Sequence, residues 1–313
     1  MTLIAGLAPA GARMTLAQSA MARVGLIATT PVLIQAFKDG LRDLGYVEGE
    51  TVRVEQRSVP GGSEDQARTV IADLTQHGVA VIVATASHNV KAAMERASVP
   101  IVAIDMESDP VTSGLVKSLA HPGGKLTGFY LDLPELSGKQ IQLLRETLGP
   151  VPRIGVIWDD RIGLPQFEAL SAAAKATSVL IKSLPMHRPE DADSLFASGA
   201  KSGAKAIVLL TAPLILQNRE RLAATALRYR LPTISVFTLV AEAGGLIGYG
   251  PDFPAIFRRS ATYVDRILRG TQPADLPIER PTRFELVINL RTAKALGLTI
   301  PPSLLLRVDR VIN

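Results

Sequence analysis

The side chains with the clearest chemical potential follow predicted β-strands directly. They are Thr29, Thr30, Ala86, Ser87, His88, Asp105, Met106, Glu107, Trp158, Asp159, Thr211 and Phe237. Hydroxyl groups and helix N–H groups can hold a carboxylate, carboxylates can hold an ammonium group, and aromatic rings can stack on planar molecules. We therefore predict that these residues bind a small organic ligand.

Several of these assignments have a simpler structural alternative. Ser87 precedes a predicted helix, so its hydroxyl could hold a ligand carboxylate or could cap that helix. Asp105 and Glu107 alternate along the chain and could face one side of an extended segment, where either could accept a ligand ammonium. Trp158, the single tryptophan, could stack on a planar ligand or pack in the core or hinge. The sequence leaves these alternatives open.

Recognisable catalytic and cofactor motifs are missing from the sequence. There is no cysteine, which excludes thiol catalysis, disulfides and cysteine-ligated metals. The four histidines share no metal-ligand spacing. No Gly-x-Gly-x-x-Gly follows the first strand, and no Gly-x-Ser-x-Gly elbow occurs. We therefore expect no enzyme activity, no metal and no cofactor.

The elements that would position the candidate residues occur twice in the same order. Residues 23–27 and 153–157 read RVGLI and RIGVI, and each is followed by a helical pattern. Segments 79–83 and 204–209, and then 100–104 and 232–236, continue the match at offsets of about 125 and 132 residues. A duplicated α/β unit explains this pattern, and it predicts two Rossmann-like lobes with parallel sheets and a cleft between them. Ligands bind beyond the carboxyl ends of such strands, where the candidate residues lie.

The composition is typical of a globular protein with two domains. The chain has 313 residues, of which 47% are hydrophobic and 20% are charged. The net charge is +5, and Lys and Arg are scattered, so we expect no nucleic-acid partner. Residues 1–22 resemble neither lobe, and we interpret them either as a signal peptide whose beginning is truncated or as a disordered leader.

Five blocks of the sequence are similar to a known family. They are FxxGLRxLGYVEG at 37–49, DPVxxGLVxSLAxPGG at 109–124, LSGK at 136–139, LPxExPT at 276–282 and LVINLxTAKxLGL at 286–298. Together they resemble ABC transporter substrate-binding proteins of the TrpX-like, periplasmic binding protein type, over about residues 23–313. The resemblance is specific because several long blocks agree in order.

This resemblance implies a periplasmic-binding-protein type I architecture with three interlobe crossings, near 128–131, 248–251 and 281–285. The N-lobe would comprise 23–129 plus 250–282, and the C-lobe 130–249 plus 283–313. The resemblance also implies a periplasmic monomer that captures a small molecule, often an aromatic amino acid, for an inner-membrane ABC permease with its ATPase. Two loops depart from the family pattern, at 86–89 and at 159–160, which leaves a different ligand open.

Two other functions fit a two-lobed α/β cleft. An enzyme would need a positioned acid–base pair, and His88 with Asp105 is the candidate pair, without support from sequence spacing. A sensor domain would need a signalling partner, because residues 1–22 offer no room for a DNA-reading module.

Overall fold

The computed structural model describes residues 21–59, 63–106 and 109–313, and the side chains of Asp105 and Met106 lie outside this description. The strands are β1 Ala22–Ile27, β2 Val52–Arg57, β3 Val81–Thr85, β4 Ile101–Met106, β5 Leu126–Tyr130, β6 Arg153–Trp158, β7 Leu180–Pro185, β8 Ala206–Leu209, β9 Thr233–Ser235, β10 Ile247–Pro251, β11 Phe284–Asn289 and β12 Arg310–Ile312. The helices are α1 Pro31–Asp43, α2 Glu64–Gln76, α3 Ser87–Arg96, α4 Ser137–Leu148, α5 Leu164–Ala176, α6 Ala192–Lys201, α7 Pro213–Gln217, α8 Arg219–Arg228, α9 Thr238–Glu242, α10 Phe253–Leu268, α11 Leu290–Leu296 and α12 Pro302–Leu305. Within these residues, no helix combines the length and the apolar character that crossing a membrane requires. The predicted leader lies almost wholly outside the described residues.

Two sheets of mostly parallel strands form the framework, and their strand orders confirm the duplication. The first sheet runs β2-β1-β3-β4-β5, and the second contains β7-β6-β8-β9-β10 in the equivalent order, extended by β11 and β12. All pairs in the first sheet are parallel. In the second, β11 runs antiparallel to β10 and so reverses the chain direction at that position. The predicted fold class, two α/β lobes, is confirmed, with this one antiparallel pair added.

Local sequence explains why these segments form their elements. Strands β3 and β8 are buried along most of their length, as continuous apolar runs in a parallel sheet require. Helix α2 begins after Ser63, whose hydroxyl accepts a hydrogen bond from the Gln66 N–H at 3.4 Å. Helix α10 begins after Asp252, whose carboxylate accepts from the Ala255 N–H at 3.0 Å. Both are side-chain caps that satisfy an otherwise unpaired N–H of the first turn.

Helix α10 follows a strand of the second sheet but packs against the first lobe. At its contact with α1, a Cβ on Gly40 would overlap the carbonyl oxygen of Arg258, so only glycine allows the two helices to approach this closely. The Arg258 guanidinium forms an ion pair with Asp43 at the end of α1. The hydroxyl of Tyr46 also donates to the Asp265 carboxylate at 3.0 Å.

The chain passes between the two sheets three times, and two of the passages lie side by side. The Tyr130 N–H donates to the Glu279 carbonyl, and the Glu279 N–H donates to the Gly128 carbonyl, both at 2.9 Å. Arg280 forms ion pairs with Asp132 at 2.5 Å and with Glu135 at 3.0 Å. The remaining passage joins β10 to α10. These contacts tie the segment after β5 to the segment that precedes β11.

Residues 213–228 form two helices rather than one continuous helix. The helices α7 and α8 are separated at Asn218. The Asn218 amide donates to the Leu214 carbonyl at 2.8 Å, a local hydrogen bond that competes with continuation of the helix. After α11 the chain forms α12, and β12 then adds a parallel strand at the edge of the second sheet beside β11.

Candidate functional site

A cavity lies between the two lobes, beyond the carboxyl ends of the strands. It contains about 520 Å³ of space that protein atoms leave unfilled, a volume that includes its opening to solvent. Its lining residues are Ala28, Thr29, Thr30, Leu33, Thr85, Ala86, Ile162, Thr211, Ala212, Pro213, Leu216, Phe237, Phe253 and Phe257. The loops after β1, β3, β6, β8 and β9 all contribute, so the lining is shared between the two sheets.

The structure brings five of the predicted site residues together at this cavity: Thr29, Thr30, Ala86, Thr211 and Phe237. Ser87 and His88 follow directly in the first turn of α3. Asp105 and Met106 end β4, and Glu107 lies outside the described residues, so the predicted acidic contacts remain predictions. Trp158 and Asp159 do not line the cavity, although Ile162 from the same loop does.

Ala86 adopts a backbone conformation that alanine rarely accepts. Its φ is 66° and its ψ is 145°, a region used almost only by glycine. It is nevertheless the residue that precedes α3, and its carbonyl accepts from the N–H groups of Asn89 and Val90 at 3.1 and 3.2 Å. The backbone conformation of Ala86 therefore sets the orientation of the first turn of α3 relative to the cavity.

Thr211 is held in place by a buried glutamine that the sequence analysis missed. Gln166 lies in the first turn of α5 and is only 3% exposed. Its Oε1 accepts from the Thr211 N–H at 3.1 Å and from the Thr211 hydroxyl, and its Nε2 donates to the Thr211 carbonyl at 3.4 Å. Because the hydroxyl donates to Gln166, its oxygen lone pairs remain directed elsewhere and can accept a hydrogen bond from a ligand.

Aromatic rings from both lobes form the apolar wall of the cavity. The ring centroids of Phe237 and Phe253 are 4.7 Å apart, with an angle of 53° between their planes. Phe237 follows β9 of the second sheet, whereas Phe253 and Phe257 belong to α10, which packs on the first lobe. The sequence analysis missed both α10 residues because they match the apolar face of an ordinary core helix.

The structure places Trp158 inside the second lobe. Its indole ring stacks on Phe167, with centroids 4.2 Å apart and planes 8° from parallel, and its Nε1 donates to the Ser183 hydroxyl at 2.9 Å. The neighbouring Asp159 is buried and forms a bidentate pair with Arg161, with N–O distances of 2.6 and 2.7 Å. The Asp159 carboxylate is therefore already paired with a guanidinium. The stacking of Trp158 on a ligand stays a prediction.

The start of α3 carries polar groups without partners. His88 is 7% exposed, and neither of its ring nitrogens has a hydrogen-bond partner in the described part of the chain. Burial lowers the pKa of the imidazole below its ordinary value of 6.5, against the opposing influence of the Asp159 and Glu64 carboxylates; Arg161 lowers it further. The ring is thus neutral near pH 7, with one nitrogen as donor and the other as acceptor.

The cavity is lined by apolar side chains and hydroxyl groups. Its lining contains no charged side chain among the described residues, and four threonines provide its hydroxyl groups. Across residues 21–59, 63–106 and 109–313, no group of three or more His, Asp or Glu side chains could hold a metal ion. The arrangement can enclose a largely apolar molecule and hydrogen-bond its polar ends.

Comparison with known proteins agrees with this architecture. Residues 30–312 match the family model described as ABC transporter substrate binding protein. A tyrosine-binding protein of Clostridioides difficile (strain R20291) is 22% identical over 269 residues, which cover 84% of this chain and 76% of the relative.

Two solved structures are similar to most of the chain. A conserved domain protein of Vibrio cholerae O1 biovar El Tor superposes with a TM-score of 0.83 at 26% identity, covering 93% of this chain and all of that one. An ABC domain from Streptococcus pneumonia in complex with L-Trp superposes with a TM-score of 0.81 at 23% identity, covering 94% of this chain and all of that one. The family match spans nearly the whole of the fold that encloses the cavity. The chain therefore belongs to the family of ABC transporter substrate-binding proteins.

Proposed function

We propose that this protein is the extracytoplasmic solute-binding receptor of an ABC importer. It captures a small organic ligand between its lobes and delivers it to an inner-membrane permease that works with an ATPase. The observation that carries the proposal is the cavity whose lining comes from the loops after β1 and β3 on one side and after β6, β8 and β9 on the other. A molecule held there contacts both lobes at once, so its binding favours the closed arrangement.

The proposed ligand is an aromatic amino acid or a related carboxylate. The aromatic wall of Phe237, Phe253 and Phe257 suits a planar apolar group. The hydroxyls of Thr29 and Thr30 suit a carboxylate, since they lie immediately before α1. The Thr211 hydroxyl donates to Gln166 and can accept a hydrogen bond from a ligand ammonium group. The names of two relatives point the same way, because one is a tyrosine-binding protein and the other holds L-Trp.

The proposed lobes and their location follow from the same reasoning. The N-lobe is 23–129 plus 250–282, and the C-lobe is 130–249 plus 283–313, so that the lobes rotate about the three crossings. The packing of α10 against α1 supports the placement of 250–282 with the N-lobe. We propose that the protein works as a monomer in the periplasm. We expect it to release its ligand unchanged, because its family consists of binding proteins of transport systems.

Thermal unfolding and titration calorimetry with a ligand panel test this function. The panel comprises L-Trp, L-Tyr, L-Phe, aliphatic amino acids and aromatic carboxylates such as phenylacetate. A true ligand present at 100 times its Kd stabilises the folded state by about 2.7 kcal/mol, and we expect a single site with micromolar or tighter affinity. A protein whose unfolding temperature is unchanged by every compound would contradict the proposal.

A matched pair of variants locates the binding site. Phe237→Leu alters the cavity wall, whereas Phe196→Leu makes the same change at a fully buried position outside the cavity. Both variants should lose stability through smaller side chains. Only Phe237→Leu should also weaken ligand binding, and equal affinities of the two variants would place the ligand elsewhere.

A further inference from the structure

A second cavity lies at the crossings between the lobes. It contains about 1120 Å³ of space that protein atoms leave unfilled, a volume that includes its opening to solvent. All three crossing segments contribute to its lining: Phe129 comes from the segment at β5, Pro251 from the passage between β10 and α10, and residues 279–283 from the segment before β11. Its described lining shares no residue with the interlobe cavity. We call this space the hinge cavity.

Helix α10 contacts the two cavities with different faces. Phe253 and Phe257, which are four residues apart, line the interlobe cavity. Ala255, Ile256 and Arg259 line the hinge cavity instead. Residues three or four positions apart lie on the same side of a helix, so each set forms its own face. The two cavities are therefore separated by a single helix.

The inner wall of the hinge cavity is apolar. Phe129 and Ile256 are 2% and 8% exposed, and the rings of Pro251 and Pro281 extend the apolar surface toward the opening. The hydrocarbon part of a bound molecule would remove this surface from water, which is favourable in proportion to the area covered.

Two arginines at the hinge cavity already have acidic partners. The Arg259 guanidinium donates to both carboxylate oxygens of Glu279, at 2.6 and 2.7 Å. Arg280 forms ion pairs with Asp132 and Glu135 at 2.5 and 3.0 Å. These side chains bind the crossing segments to one another, and their charges are balanced within the protein.

The third arginine has no such partner. Arg283 lines the hinge cavity and is exposed, and its guanidinium has no hydrogen bond or ion pair within the described part of the chain. The remaining acid of the lining, Asp252, accepts a hydrogen bond from the Ala255 N–H at 3.0 Å and faces the positive end of the α10 dipole. The hinge cavity thus combines an apolar wall with one unpaired positive charge.

We propose that the hinge cavity is a second binding site, which takes a small organic carboxylate. The planar guanidinium of Arg283 can bind a carboxylate through two parallel hydrogen bonds. The hydrocarbon part of the same molecule can then cover the apolar wall, and its single negative charge matches the single unpaired guanidinium. This inference goes beyond the proposed function, because the hinge cavity is distinct from the interlobe cavity and does not depend on which ligand the latter holds.

NMR titration of the ¹⁵N-labelled protein tests the site and its ligand class. The probes are hexanoate, acetate, hexanamide and inorganic phosphate. Hexanoate should shift amide signals in the segments 255–259 and 279–283. It should bind at least tenfold more tightly than hexanamide, which lacks the charge, and at least tenfold more tightly than acetate, which covers less of the apolar wall.

Two results of this titration would overturn the proposal. Shifts confined to the loops after β1, β8 and β9 would place hexanoate in the interlobe cavity. Phosphate that binds as tightly as hexanoate would show a general attraction of anions without recognition of the hydrocarbon part.

Three variants assign the interaction to Arg283. Arg283→Gln removes the charge at an exposed position and should weaken hexanoate binding at least tenfold, while hexanamide affinity stays within about threefold. Arg291→Gln is the matched control, since Arg291 is also exposed and also has no partner within the described residues. Phe237→Leu alters only the interlobe cavity and should bind hexanoate as the wild type does. Equal hexanoate affinities of Arg283→Gln and Arg291→Gln would refute the role of Arg283.

The shared helix also predicts that the two cavities are coupled. Rotation of the lobes changes the arrangement of the crossing segments, so a molecule in the hinge cavity should bind the open and closed arrangements with different affinities. Saturating hexanoate should therefore change the Kd of L-Trp in calorimetry at least threefold, and Arg283→Gln should abolish the effect. An unchanged Kd would refute the coupling.

The outcomes distinguish this inference from the proposed function. A protein that binds hexanoate at the hinge cavity but none of the amino acids or aromatic carboxylates of the ligand panel contradicts the proposed function alone. A protein that binds a member of that panel in the interlobe cavity, but no hexanoate at the hinge cavity, contradicts this inference alone.

Discussion

The hydrogen bonds between Gln166 and Thr211 offer the sharpest test of how the cavity is held in shape. The proposed change is Gln166→Met, which keeps the length of the side chain and removes its amide. In the structure Gln166 Oε1 accepts from both the N–H and the hydroxyl of Thr211, and Thr211 is only 2% exposed. The variant therefore leaves two donors of Thr211 without their acceptor in a place that water reaches poorly.

The expected cost follows from the burial of these groups. A buried donor that loses its partner costs about 1–3 kcal/mol. The Thr211 hydroxyl can rotate toward another acceptor, whereas its N–H is fixed by the backbone, so we expect a total loss of about 2–4 kcal/mol in the free energy of unfolding. Thr211 also lines the cavity, and the loss of one ligand hydrogen bond, about 1.4 kcal/mol, would weaken ligand binding about tenfold.

The chain contains a matched control for this substitution. Gln140 is as deeply buried, at 2% exposure, yet its Nε2 has no partner in the described part of the chain. Gln140→Met therefore removes a buried amide that donates no hydrogen bond, and it should change the free energy of unfolding by less than about 1 kcal/mol. Urea unfolding of both variants gives the comparison. If Gln166→Met costs no more than Gln140→Met, the bonds to Thr211 do not stabilise the fold and the reasoning fails.

Two further predictions concern the strained backbone and the crossing segments. Ala86→Gly should raise the free energy of unfolding by about 1 kcal/mol. The reason is that the strain of alanine at a φ of 66° exceeds the cost of the larger conformational entropy that glycine gives the unfolded chain. A lower midpoint of unfolding in urea would contradict this argument. Glu279 pairs with Arg259 at 2.6 and 2.7 Å, and its hydrogen bond to that guanidinium lowers the carboxyl pKa below 4.5. The stabilisation from the Glu279–Arg259 pair is thus present above pH 4.5 and is lost as the pH falls below it. In Glu279→Gln, the free energy of unfolding should therefore fall less steeply with pH below 4.5 than in the wild type. An unchanged pH dependence would show that the pair is not coupled to folding.

The positions of cavity residues at strand ends could be predicted from the sequence. Thr29, Thr30, Ala86, Thr211 and Phe237 all line the cavity, although no motif marks any of them. Each comes shortly after an apolar strand-like run or ends one, and in parallel sheets these ends share one edge. The duplicated pattern then placed two such edges opposite each other, and the strand orders of the two sheets confirm the pairing of the halves.

Contacts between distant segments could not be predicted in this way. Gln166 reaches Thr211 across 45 residues, and nothing in the first turn of α5 indicates this partner. Trp158 is the last residue of β6, and Phe237 follows the end of β9 by two residues. Side chains alternate between the two faces of a sheet, so a position near a strand end does not determine which face the side chain is on. Trp158 packs in the same cluster as Val156, while Ile157 packs in the cluster that runs between the lobes. Which of the two faces is covered by α5 depends on the tertiary fold.

The origin of the cavity wall links ligand binding to the crossings. Phe253 lies immediately after the passage from β10 to α10, yet its ring contacts Phe237 of the opposite lobe at a centroid distance of 4.7 Å. If the lobes rotate apart as proposed, this contact is broken, and an aromatic pair contributes only about 0.5–1.5 kcal/mol beyond the burial of its surface. A ligand shifts this equilibrium only by the difference between its affinities for the closed and open states, and a tenfold preference for the closed state, about 1.4 kcal/mol, already matches the contribution of the aromatic pair. The contact between the two rings therefore stabilises the closed conformation only weakly, and ligand binding determines which conformation is populated. Because Phe253 lies directly after a crossing segment, the same contact couples the cavity to the hinge.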